Sequence, residues 1–414
     1  MAEYEAYRDS GAEWLGCIPS DWKTGVIGSF YALRNTKVSD TEYPPLSVTM
    51  RGVVPQLETA AKTDAHDARK LVRKGDFVIN SRSDRRGSCG ISDFDGSVSL
   101  INTVLTPRGS MNPRYYNWLF HTVQFADEFY KNGHGIVDDL WTTLWNEMKR
   151  ILIPVPSDLE QAVIAEYLDE KIANIDSVSA EARASIEEYK KWKASIIFEA
   201  VTKGLDPDVE MKDSGFTWIG QMPNHWKLVP NKRVMHKEKR ICEKYTGQDI
   251  ISLTMNGVII RDLGAGGKMP TSFDGYQFVY PGELLMCLFD IDVTPRCVGR
   301  VYNEGLTSPA YSSFVLHDGA NLDYYYYYYL MMDNTKELLH LSKNLRHSLT
   351  EEQLGQIKVP VPPMDEQIEI GRMLDRKTGQ IDALIAEKEA LIKELDAYKK
   401  SLIFEVVTGK RKVV

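Results

Sequence analysis

The feature that most restricts the fold of this chain is a stretch of 42 residues that occurs twice. Residues 158–199 return as residues 364–405, displaced by 206 positions. The shared residues at equivalent positions include Glu160/Glu366, Gln161/Gln367, Leu168/Leu374, Asp169/Asp375, Ile175/Ile381 and Asp176/Asp382. Such self-similarity indicates an internal duplication, so we expect two copies of one structural element.

Both copies have the apolar spacing of a single long helix. Apolar residues follow one another at alternating intervals of three and four, which makes a stripe that needs a partner helix. Ser157 and Glu160 form a predicted capping box after Pro156, while Pro362 and Pro363 precede the second copy. Each helix would be a rod of roughly 60 Å at about 1.5 Å per residue. The simplest partner for each helix is the other copy.

A shorter repeat precedes each helical stretch by more than one hundred residues. Residues 9–23 match residues 213–227 at eight of fifteen positions, including Trp22 and Trp226. We expect these tryptophan-containing segments to anchor the chain against the adjoining domain.

The region between each anchor and its helix has the pattern of a mixed domain. Residues 46–54 and 251–259 are rich in β-branched residues around a turn, which predicts strand–turn–strand. Short helices are predicted within 113–131 and 323–345. The predicted fold class is α+β, with two similar α/β domains, a pair of long antiparallel coiled-coil helices and an approximately two-fold internal repeat. The predicted segments are a domain over 1–156, a helix over 157–204, a domain over 205–362 and a helix over 363–414.

Composition excludes several classes of protein. The chain has 414 residues, 43% of them apolar and 26% charged, as in soluble globular proteins with two or three domains. No apolar run is long enough to cross a bilayer, and the first residues do not resemble a signal peptide. The five cysteines form no CxxC pair, which favours free thiols and a cytoplasmic location.

The net charge of −8 is unevenly distributed along the chain. Residues 157–188 contain nine acids and two bases, and residues 364–396 contain nine acids and five bases. These segments therefore carry −7 and −4, which leaves +3 for the rest of the chain. A polyanion could dock on that remaining surface, because local charge decides where it binds.

Basic and polar residues cluster within the two predicted domains. A polar, arginine-rich loop over 81–88 follows a predicted buried strand, and residues 227–244 form a second basic segment. Guanidinium groups can reach guanine edges, while hydroxyl groups contact phosphates. The turns at 134–135 and 346–349 are weaker candidates. The predicted DNA-contacting residues are Arg51, Lys70, Arg73, Ser81, Arg82, Ser83, Arg85, Arg86, Lys232, Arg233, Lys237, Lys239, Arg240, Asn256, Lys268 and Arg346.

Residues 324–329 are six consecutive tyrosines. Six successive residues on a helix face all directions, so we interpret them as partly core and partly surface. Stacking of these rings on nucleic-acid bases is the alternative.

We find no pattern typical of catalysis or of a metal site. The eight histidines lack the spacing of metal ligands, and the glycines around Lys268 lack the spacing of a phosphate-binding loop. Residues 112–115 resemble the Asn-Pro-Pro-Tyr box of adenine methyltransferases, but the second proline is missing and a helix start is predicted.

The ordered set of motifs resembles the specificity subunit of type I restriction–modification enzymes over nearly the whole chain. The motifs are WxGxxPxxW at 14–22 and 218–226, GDFVINSRS at 75–83, the entry to each long helix with Pro-Val-Pro followed by Glu-Gln, and the helix ends SIIFEAVTKG and SLIFEVVTGK.

The resemblance implies two target recognition domains, each reading one half of a bipartite sequence in double-stranded DNA. It implies that the two helices set the gap between the halves and dock two modification subunits. Those subunits would bind S-adenosylmethionine and methylate adenine, and two restriction (translocase) subunits would use ATP and Mg²⁺. The chain itself would be a non-catalytic protein of the bacterial or archaeal cytoplasm, with no cofactor of its own and no membrane partner. The acidic segments 157–188 and 364–396 suit protein docking, since like charge repels a DNA backbone.

Two other interpretations remain. The chain could be a coiled-coil adaptor whose two domains bind proteins, which exchange of residues 24–150 would test. A self-contained methyltransferase is disfavoured because no loop for S-adenosylmethionine is present. Residues 81–83 align with 288–290, so the two domains are expected to contact DNA with different side chains.

Overall fold

A computed structural model of the protein describes residues 3–58, 67–135, 141–264, 270–342 and 347–413. The chain divides into two compact units. Unit 1 comprises Met1–Arg183 and Glu389–Val414, and unit 2 comprises Ala184–Lys388. Each unit mixes short strands with helices, which confirms the predicted α+β class.

The described part of unit 1 is rich in short strands. The strands are β1 (Tyr7–Asp9), β2 (Cys17–Pro19), β3 (Lys23–Val26), β4 (Tyr31–Arg34), β5 (Lys37–Val38), β6 (Leu46–Thr49), β7 (Gly52–Pro55), β8 (Arg69–Val72), β9 (Phe77–Asn80), β10 (Cys89–Ile91), β11 (Gly96–Val98), β12 (Asn102–Pro107) and β13 (Leu152–Val155). The helices are α1 (Ile27–Phe30), α2 (Pro113–Phe120), α3 (Val123–Lys131), α4 (Trp145–Met148) and the first part of α5 (Asp158–Lys203).

Unit 2 repeats this sequence of elements. Its described strands are β14 (Met211–Asp213), β15 (Gln221–Pro223), β16 (Lys227–Pro230), β17 (Met235–Glu238), β18 (Ile251–Thr254), β19 (Gly257–Ile260), β20 (Gln277–Val279), β21 (Leu284–Cys287), β22 (Val298–Arg300), β23 (Gly305–Thr307), β24 (Tyr311–Leu316) and β25 (Lys358–Val361). Its helices are α6 (Leu322–Asn334), α7 (Glu337–Leu341), α8 (Glu351–Gln356) and the first part of α9 (Met364–Val407).

The main sheets of the two units have the same strand order. The four-stranded antiparallel sheet of unit 1 runs β10-β9-β12-β4, and that of unit 2 runs β22-β21-β24-β17. The predicted strand–turn–strand segments are confirmed as the hairpins β6–β7 and β18–β19. The duplication seen in the sequence therefore extends to the sheets.

The two predicted long helices are confirmed as α5 and α9, of 46 and 44 residues. Unit 1 contains the part of α5 up to Arg183 and the part of α9 from Glu389, while unit 2 contains the rest of both. Among the described residues, no helix is both long and apolar enough to span a bilayer. The predicted apolar stripe is buried or half-buried at Leu168, Ile172, Ile175, Ser179, Ala182, Ile186, Tyr189, Ile196, Leu374, Thr378, Ile381, Ile385, Lys388, Ile392, Leu395 and Leu402.

An equivalent ion pair joins the two helices inside each unit. In unit 1, Lys399 Nζ lies 2.6 Å from an Asp176 carboxylate oxygen. In unit 2, Lys193 Nζ lies 2.6 Å from an Asp382 carboxylate oxygen. The two aspartates are equivalent in the repeat, as are the two lysines. Lysine side chains can occupy an apolar stripe because their methylene stems pack while the amine reaches a partner.

The anchor tryptophans are part of each core, as predicted. Trp22 is 2% exposed and Trp226 is fully buried. Trp14 donates its indole N–H to the carbonyl of Leu152 at 3.2 Å, close to the last strand before α5. These segments therefore hold the beginning of each domain to its end.

The tyrosine run is more buried than predicted. Five of the six rings are buried, and only Tyr326 is half-buried. Tyr324 donates its hydroxyl to the Val201 carbonyl at 3.0 Å, and Tyr325 donates to Pro360 at 3.0 Å. The predicted surface part is limited to Tyr326, because α6 packs against both the β25 side of the domain and a long helix. Base stacking is excluded for the five buried rings.

Repeated polar residues fasten each long helix to the domain that precedes it. Gln161 accepts from the Asn112 backbone N–H at 2.9 Å, and Gln367 accepts from Asn321 N–H at 2.8 Å. The predicted capping box at Ser157 is only half present. Ser157 accepts from Glu160 N–H at 3.3 Å, but the Glu160 carboxylate accepts from the Tyr4 hydroxyl at 2.6 Å instead of reaching back.

A repeated aspartate further along each long helix makes the second attachment. Asp169 accepts from Trp118 Nε1 at 2.7 Å and pairs with Arg114. Its equivalent, Asp375, accepts from the Tyr327 hydroxyl at 2.8 Å and pairs with Arg300 at 2.9 Å. The helix residue is the same in both units, whereas the domain supplies different partners.

Replacement of Trp226 by alanine is expected to destabilise unit 2 by about 3–5 kcal/mol, because it leaves a large cavity and removes an indole N–H bond of 2.8 Å to Glu366. Trp192→Ala is the matched control, since Trp192 also lies in unit 2 but is 48% exposed. The control should change the free energy of unfolding by less than about 0.5 kcal/mol. Chemical denaturation of the full chain measures both, and equal effects would contradict the anchoring role.

Candidate nucleic-acid interface

The first hairpin, residues 46–55, lies against the edge strand of the main sheet in unit 1. A Cβ atom built on Gly90 would come within 2.7 Å of the Gly52 Cα. Gly90 belongs to β10, the strand that follows the arginine-rich loop, residues 81–88. The absence of a side chain at Gly90 therefore allows the hairpin to approach the sheet beside this loop.

The arginine-rich loop is held at both ends by hydrogen bonds. It begins where the fully buried strand β9 ends at Asn80. Thr143 N–H donates to the Ser81 carbonyl at 3.0 Å, and Ser83 N–H donates to the Trp141 carbonyl at 2.9 Å. A buried Tyr130 hydroxyl donates to the Asn80 carbonyl at 3.1 Å, and burial raises the pKa of Tyr130, which keeps it protonated. The loop is thus a fixed element of the fold.

Three arginines project from this loop, and they differ in side-chain exposure and in their partners within the chain. Arg82 is exposed. The Arg85 side chain is 68% exposed, and its Nε lies 3.6 Å from a carboxylate oxygen of the neighbouring Asp84. Arg86 is more constrained, because it pairs with Asp127 and lies 5.7 Å from the centre of the Tyr130 ring. Arg82 and Arg85 are therefore the cations of the loop best placed to meet a polyanion.

The two serines of this loop that belong to the predicted DNA-contacting set differ in solvent exposure. Ser81 is 2% exposed, and its hydroxyl lies 2.9 Å from that of Thr103. The structure therefore does not support a direct contact by Ser81. Ser83 is half-buried, and its hydroxyl has no hydrogen-bond partner among the described residues.

A cleft of about 800 Å³ opens on one side of the first hairpin. Arg51 at the tip lines it together with three cations that sequence reasoning missed, Arg114, Lys399 and Lys400, and with the acids Asp93, Asp176 and Asp396. Arg114 and Lys399 are already paired with Asp169 and Asp176, which leaves Arg51 and Lys400 as the exposed cations of this cleft outside these pairs. The signal for the lysines was the polar residue at Lys399 that interrupts the apolar stripe of α9. No sequence pattern indicates Arg114, because its position beside the first hairpin depends on how α2 packs.

A second cleft of about 540 Å³ lies between the same hairpin and the arginine-rich loop. Its lining includes Ser47, Arg85, Arg86 and the nearly buried Asn102. Within the described part of the chain, the Asn102 Oδ1 atom has no donor. The hairpin tip therefore stands between two clefts that both contain cationic side chains.

Lys70 and Arg73 of the predicted set are bound within unit 1. Lys70 Nζ donates to the Asn102 carbonyl at 2.7 Å, and burial lowers the pKa of Lys70. Arg73 pairs with Asp95 at 2.6 Å and lies 5.0 Å from the centre of the Tyr43 ring. These internal partners argue against a primary role in binding a polyanion.

Unit 2 brings the equivalent hairpin, residues 251–260, to the equivalent loop, residues 288–297. Leu349 N–H donates to the Leu288 carbonyl at 2.8 Å, which matches the bond between Thr143 and Ser81 in unit 1. A Cβ atom built on Gly257 would lie 4.0 Å from the guanidinium of Arg296. The hairpin tip with Asn256 thus neighbours one arginine where unit 1 has a cluster.

The basic segment at 227–244 is dispersed by the fold. Arg240 pairs with the buried Glu283 at 2.6 Å, as Arg34 pairs with the buried Asp76 at 2.6 Å in unit 1. Arg240 therefore has an internal partner, and its contact with DNA stays a prediction. Lys237 is half-buried, with its Nζ 4.0 Å from Glu351.

Three further members of this segment, Lys232, Arg233 and Lys239, are exposed. Lys232 lines a separate cleft with Phe314 and Glu351. Lys268 and Arg346 lie outside the described residues. The weaker candidate turn at His134 bridges to Thr142 beside the arginine-rich loop.

The site offers contacts to a polyanion but no ligand set for a metal. Across the described ranges, no group of three or more His, Cys, Asp or Glu side chains is arranged to hold an ion. Asn112 caps α2 by accepting from Arg114 N–H at 3.0 Å, which confirms the predicted helix start there. Guanidinium and ammonium groups around a protruding hairpin can bind phosphate and base edges.

Comparison with known proteins shows similarity to one family over most of the chain. Residues 298–394 match the family model of the type I restriction modification DNA specificity domain. The chain is 24% identical to the type I restriction enzyme MjaVIII specificity subunit of Methanocaldococcus jannaschii, over 96% of this chain and 94% of that relative. The predicted resemblance is confirmed. The similarity is to specificity subunits, which are not the subunits that carry out methylation or cleavage.

A second relative and two solved structures extend the similarity. The putative type I restriction enzyme MjaX specificity subunit of the same organism is 24% identical over 64% of this chain and 61% of the relative. A chain from a structure described as "Structural basis underlying complex assembly and conformational transition of the type I R-M system" has a TM-score of 0.69 at 14% identity, covering 94% of this chain and 98% of that one. The HsdS subunit from Thermoanaerobacter tengcongensis has a TM-score of 0.50 at 16% identity, covering 95% and 98%. At such identities the two structures establish that this chain shares their fold.

We expect Gly90→Ala to displace the first hairpin and to destabilise unit 1 by about 1–3 kcal/mol, because the new methyl group would meet the backbone of Gly52. Gly379→Ala is the control, since a Cβ atom built on Gly379 would have no neighbouring atom within 4 Å and alanine favours a helix interior. Hydrogen exchange of the hairpin amides together with thermal unfolding checks both variants. An unchanged exchange pattern in Gly90→Ala would contradict the close approach.

Proposed function

We propose that this chain is the DNA-binding specificity subunit of a type I restriction–modification system and reads a bipartite sequence in double-stranded DNA. The observation that carries the proposal is the pairing of a hairpin that has an exposed tip with a neighbouring loop in each unit, where unit 1 presents the exposed side chains of Arg51, Arg82 and Arg85 beside two clefts. Similarity to specificity subunits over 96% of the chain supports it.

In this proposal the regions 1–156 and 205–362 are target recognition domains, each responsible for one half-site. The segments 157–204 and 363–414 form an antiparallel helical spacer that determines the gap. The ion pairs Lys399–Asp176 and Lys193–Asp382 support such pairing, because they join the two helices at equivalent positions of the repeat.

The proposed partners are two modification subunits and two restriction subunits. S-adenosylmethionine, ATP and Mg²⁺ would be bound by those partners. The acidic helix segments fit a docking role, but part of their acidity is used inside the chain. Asp169 and Asp375 pair with arginines of their own domains, so the free acidic surface is smaller than the sequence indicates.

The first test is binding of the chain, assembled with its modification partner, to defined duplexes. Methylation-aware sequencing of the source genome identifies the bipartite motif, and a random duplex of equal length is the control. We expect nanomolar-scale affinity for the motif, falling steeply with salt concentration. Equal affinity for both duplexes would contradict sequence-specific recognition and favour the adaptor interpretation.

We expect the double variant Arg82→Ala with Arg85→Ala to weaken DNA binding and to lower the slope of log affinity against log salt by about two. Each lost phosphate contact lowers that slope by about one. Arg150→Ala with Lys131→Ala is the charge-matched control, because both residues are exposed, neither belongs to the predicted DNA-contacting set, and both line a separate cleft with Trp14. A salt titration with the cognate duplex measures the slopes, and equal slopes for both variants would exclude phosphate contacts by the loop.

Insertion of four residues after Arg183 in α5 should change the gap that the protein tolerates and leave the half-sites unchanged. Four helical residues add about 6 Å of rise, comparable to one or two base pairs at about 3.4 Å each. The control is Glu187→Gln with Glu188→Gln, which alters exposed residues of the same helix without changing its length. Binding to duplexes with altered gaps measures the effect. An insertion variant with the original gap preference would remove the spacer role.

A further inference from the structure

Each unit presents one strongly exposed methionine at the tip of its hairpin. Met50 is 72% exposed and Met255 is 62% exposed. The two residues occupy the same place in the repeated motifs Thr-Met-Arg-Gly and Thr-Met-Asn-Gly. A single exposed apolar residue needs no explanation, but the same exposure at equivalent positions of both units does.

The two tips are built by the same hydrogen bonds. Thr49 accepts from Arg51 N–H at 3.1 Å and donates to the Gly52 carbonyl at 3.0 Å. Thr254 accepts from Asn256 N–H at 3.2 Å and donates to the Gly257 carbonyl at 3.0 Å. Gly52 and Gly257 have φ of 107° and 96°, a backbone region that favours glycine. Each methionine therefore projects from a preformed turn.

Both hairpins are also supported from behind by a glycine in the edge strand of the sheet. Gly90 approaches the backbone of Gly52 in unit 1. In unit 2, a Cβ atom on Gly299 would lie 2.5 Å from a methyl group of Val258 and 2.7 Å from one of Leu253. A hairpin packed this closely against the sheet holds its tip in a fixed position.

The surroundings of Met50 indicate what it meets. Met50 lines the cleft that contains the exposed side chains of Arg51 and Lys400, and it also lines the cleft that contains the exposed Arg85. An apolar tip with exposed cations on both sides is complementary to a duplex, in which stacked apolar bases lie between two phosphate backbones. A protein partner would not require cations on both sides of the tip.

The methionine stays the same in both units, whereas its neighbours differ. Arg51 corresponds to Asn256, and the arginine-rich loop 81–88 corresponds to the segment 288–297 with its single Arg296. Residues that read different half-sites are expected to differ. A residue kept at both tips is therefore suited to a task that does not depend on sequence.

We propose that Met50 and Met255 are wedges that insert between neighbouring base pairs, one in each half-site, and locally unstack the duplex. The inference rests on the proposed function and deepens it. Apolar side chains inserted at base steps kink DNA and let more protein surface contact it. The wedge would widen the step in the same way in both half-sites, while the neighbouring Arg51 or Asn256 reads base edges and supplies the specificity.

A scan with 2-aminopurine tests the wedges in the complex of the chain with its modification partner. This fluorescent base is placed at successive positions of the cognate duplex outside the methylated adenines, and its fluorescence rises when a neighbouring step unstacks. In the wild-type complex, the fluorescence should rise at one base step in each half-site. Met50→Ala should abolish the signal in one half-site only, and Met255→Ala should abolish it in the other.

Each alanine variant should also bind the cognate duplex about tenfold more weakly, because one methionine side chain is no longer buried. Met50→Leu should retain both the signal and the affinity, since leucine fills a similar volume. Val123→Ala is the control in unit 1, where Val123 is 50% exposed at the start of α3, and it should behave as the wild type.

The outcomes separate the wedge from the proposed function. If the wild type binds its motif specifically but 2-aminopurine fluorescence rises at no base step, the wedge proposal is wrong and the proposed function stands. If Met50→Ala instead loses preference for thymine at one position without any wild-type fluorescence change, the methionine contacts a thymine methyl group and the wedge is again wrong. If the wild type does not distinguish the motif from random DNA, the proposed function fails.

Discussion

A buried glutamine at the start of each long helix is the contact on which each unit depends. Gln161 is 1% exposed and Gln367 is fully buried, and each uses both ends of its amide. The carbonyl end accepts from the residue that caps the domain helix, while the amino end donates to the proline carbonyl before the long helix, Pro156 at 3.0 Å and Pro362 at 2.9 Å. Loss of either amide would leave buried backbone groups unpaired, at about 1–3 kcal/mol each. This one side chain therefore couples the last strand, the domain helix and the long helix.

The second attachment shows how a domain can diverge while its connection to the helix is kept. Asp169 and Asp375 are the constant members, and their arginine partners come from different elements, α2 for Arg114 and β22 for Arg300. Burial disfavours the charge on Arg300, but the hydrogen bonds that its guanidinium donates to Asp375 and Asp323 outweigh burial and raise the pKa of Arg300. Its guanidinium also lies 4.4 Å from the centre of the Tyr326 ring. The same helix carboxylate thus accepts whichever donor the domain provides.

In the hairpins and loops, the backbone structure is the same in both units, whereas the charged side chains differ. The turn hydrogen bonds, the supporting glycines and the methionine tips recur in both units. The side chains around them change, from the cluster containing Arg82 and Arg85 to a segment containing Asp290 and Asp292. A rigid frame with exchangeable side chains is suited to reading two different half-sites, because position is preserved while hydrogen-bonding groups are replaced.

Sequence alone determined the two long helices, the hairpins 46–55 and 251–260 and the family resemblance, because each depends on residue spacing that is local or directly repeated. It did not determine which polar side chains are free. Arg240 and Lys70 are as basic in the sequence as Arg85, yet only the folded chain brings Glu283 to the first and the Asn102 carbonyl to the second. Lys399 and Arg114, in turn, line the cleft beside the first hairpin only because distant parts of unit 1 pack together. Whether a cationic side chain is available for binding depends on partners far away along the chain, and only the tertiary structure places those partners.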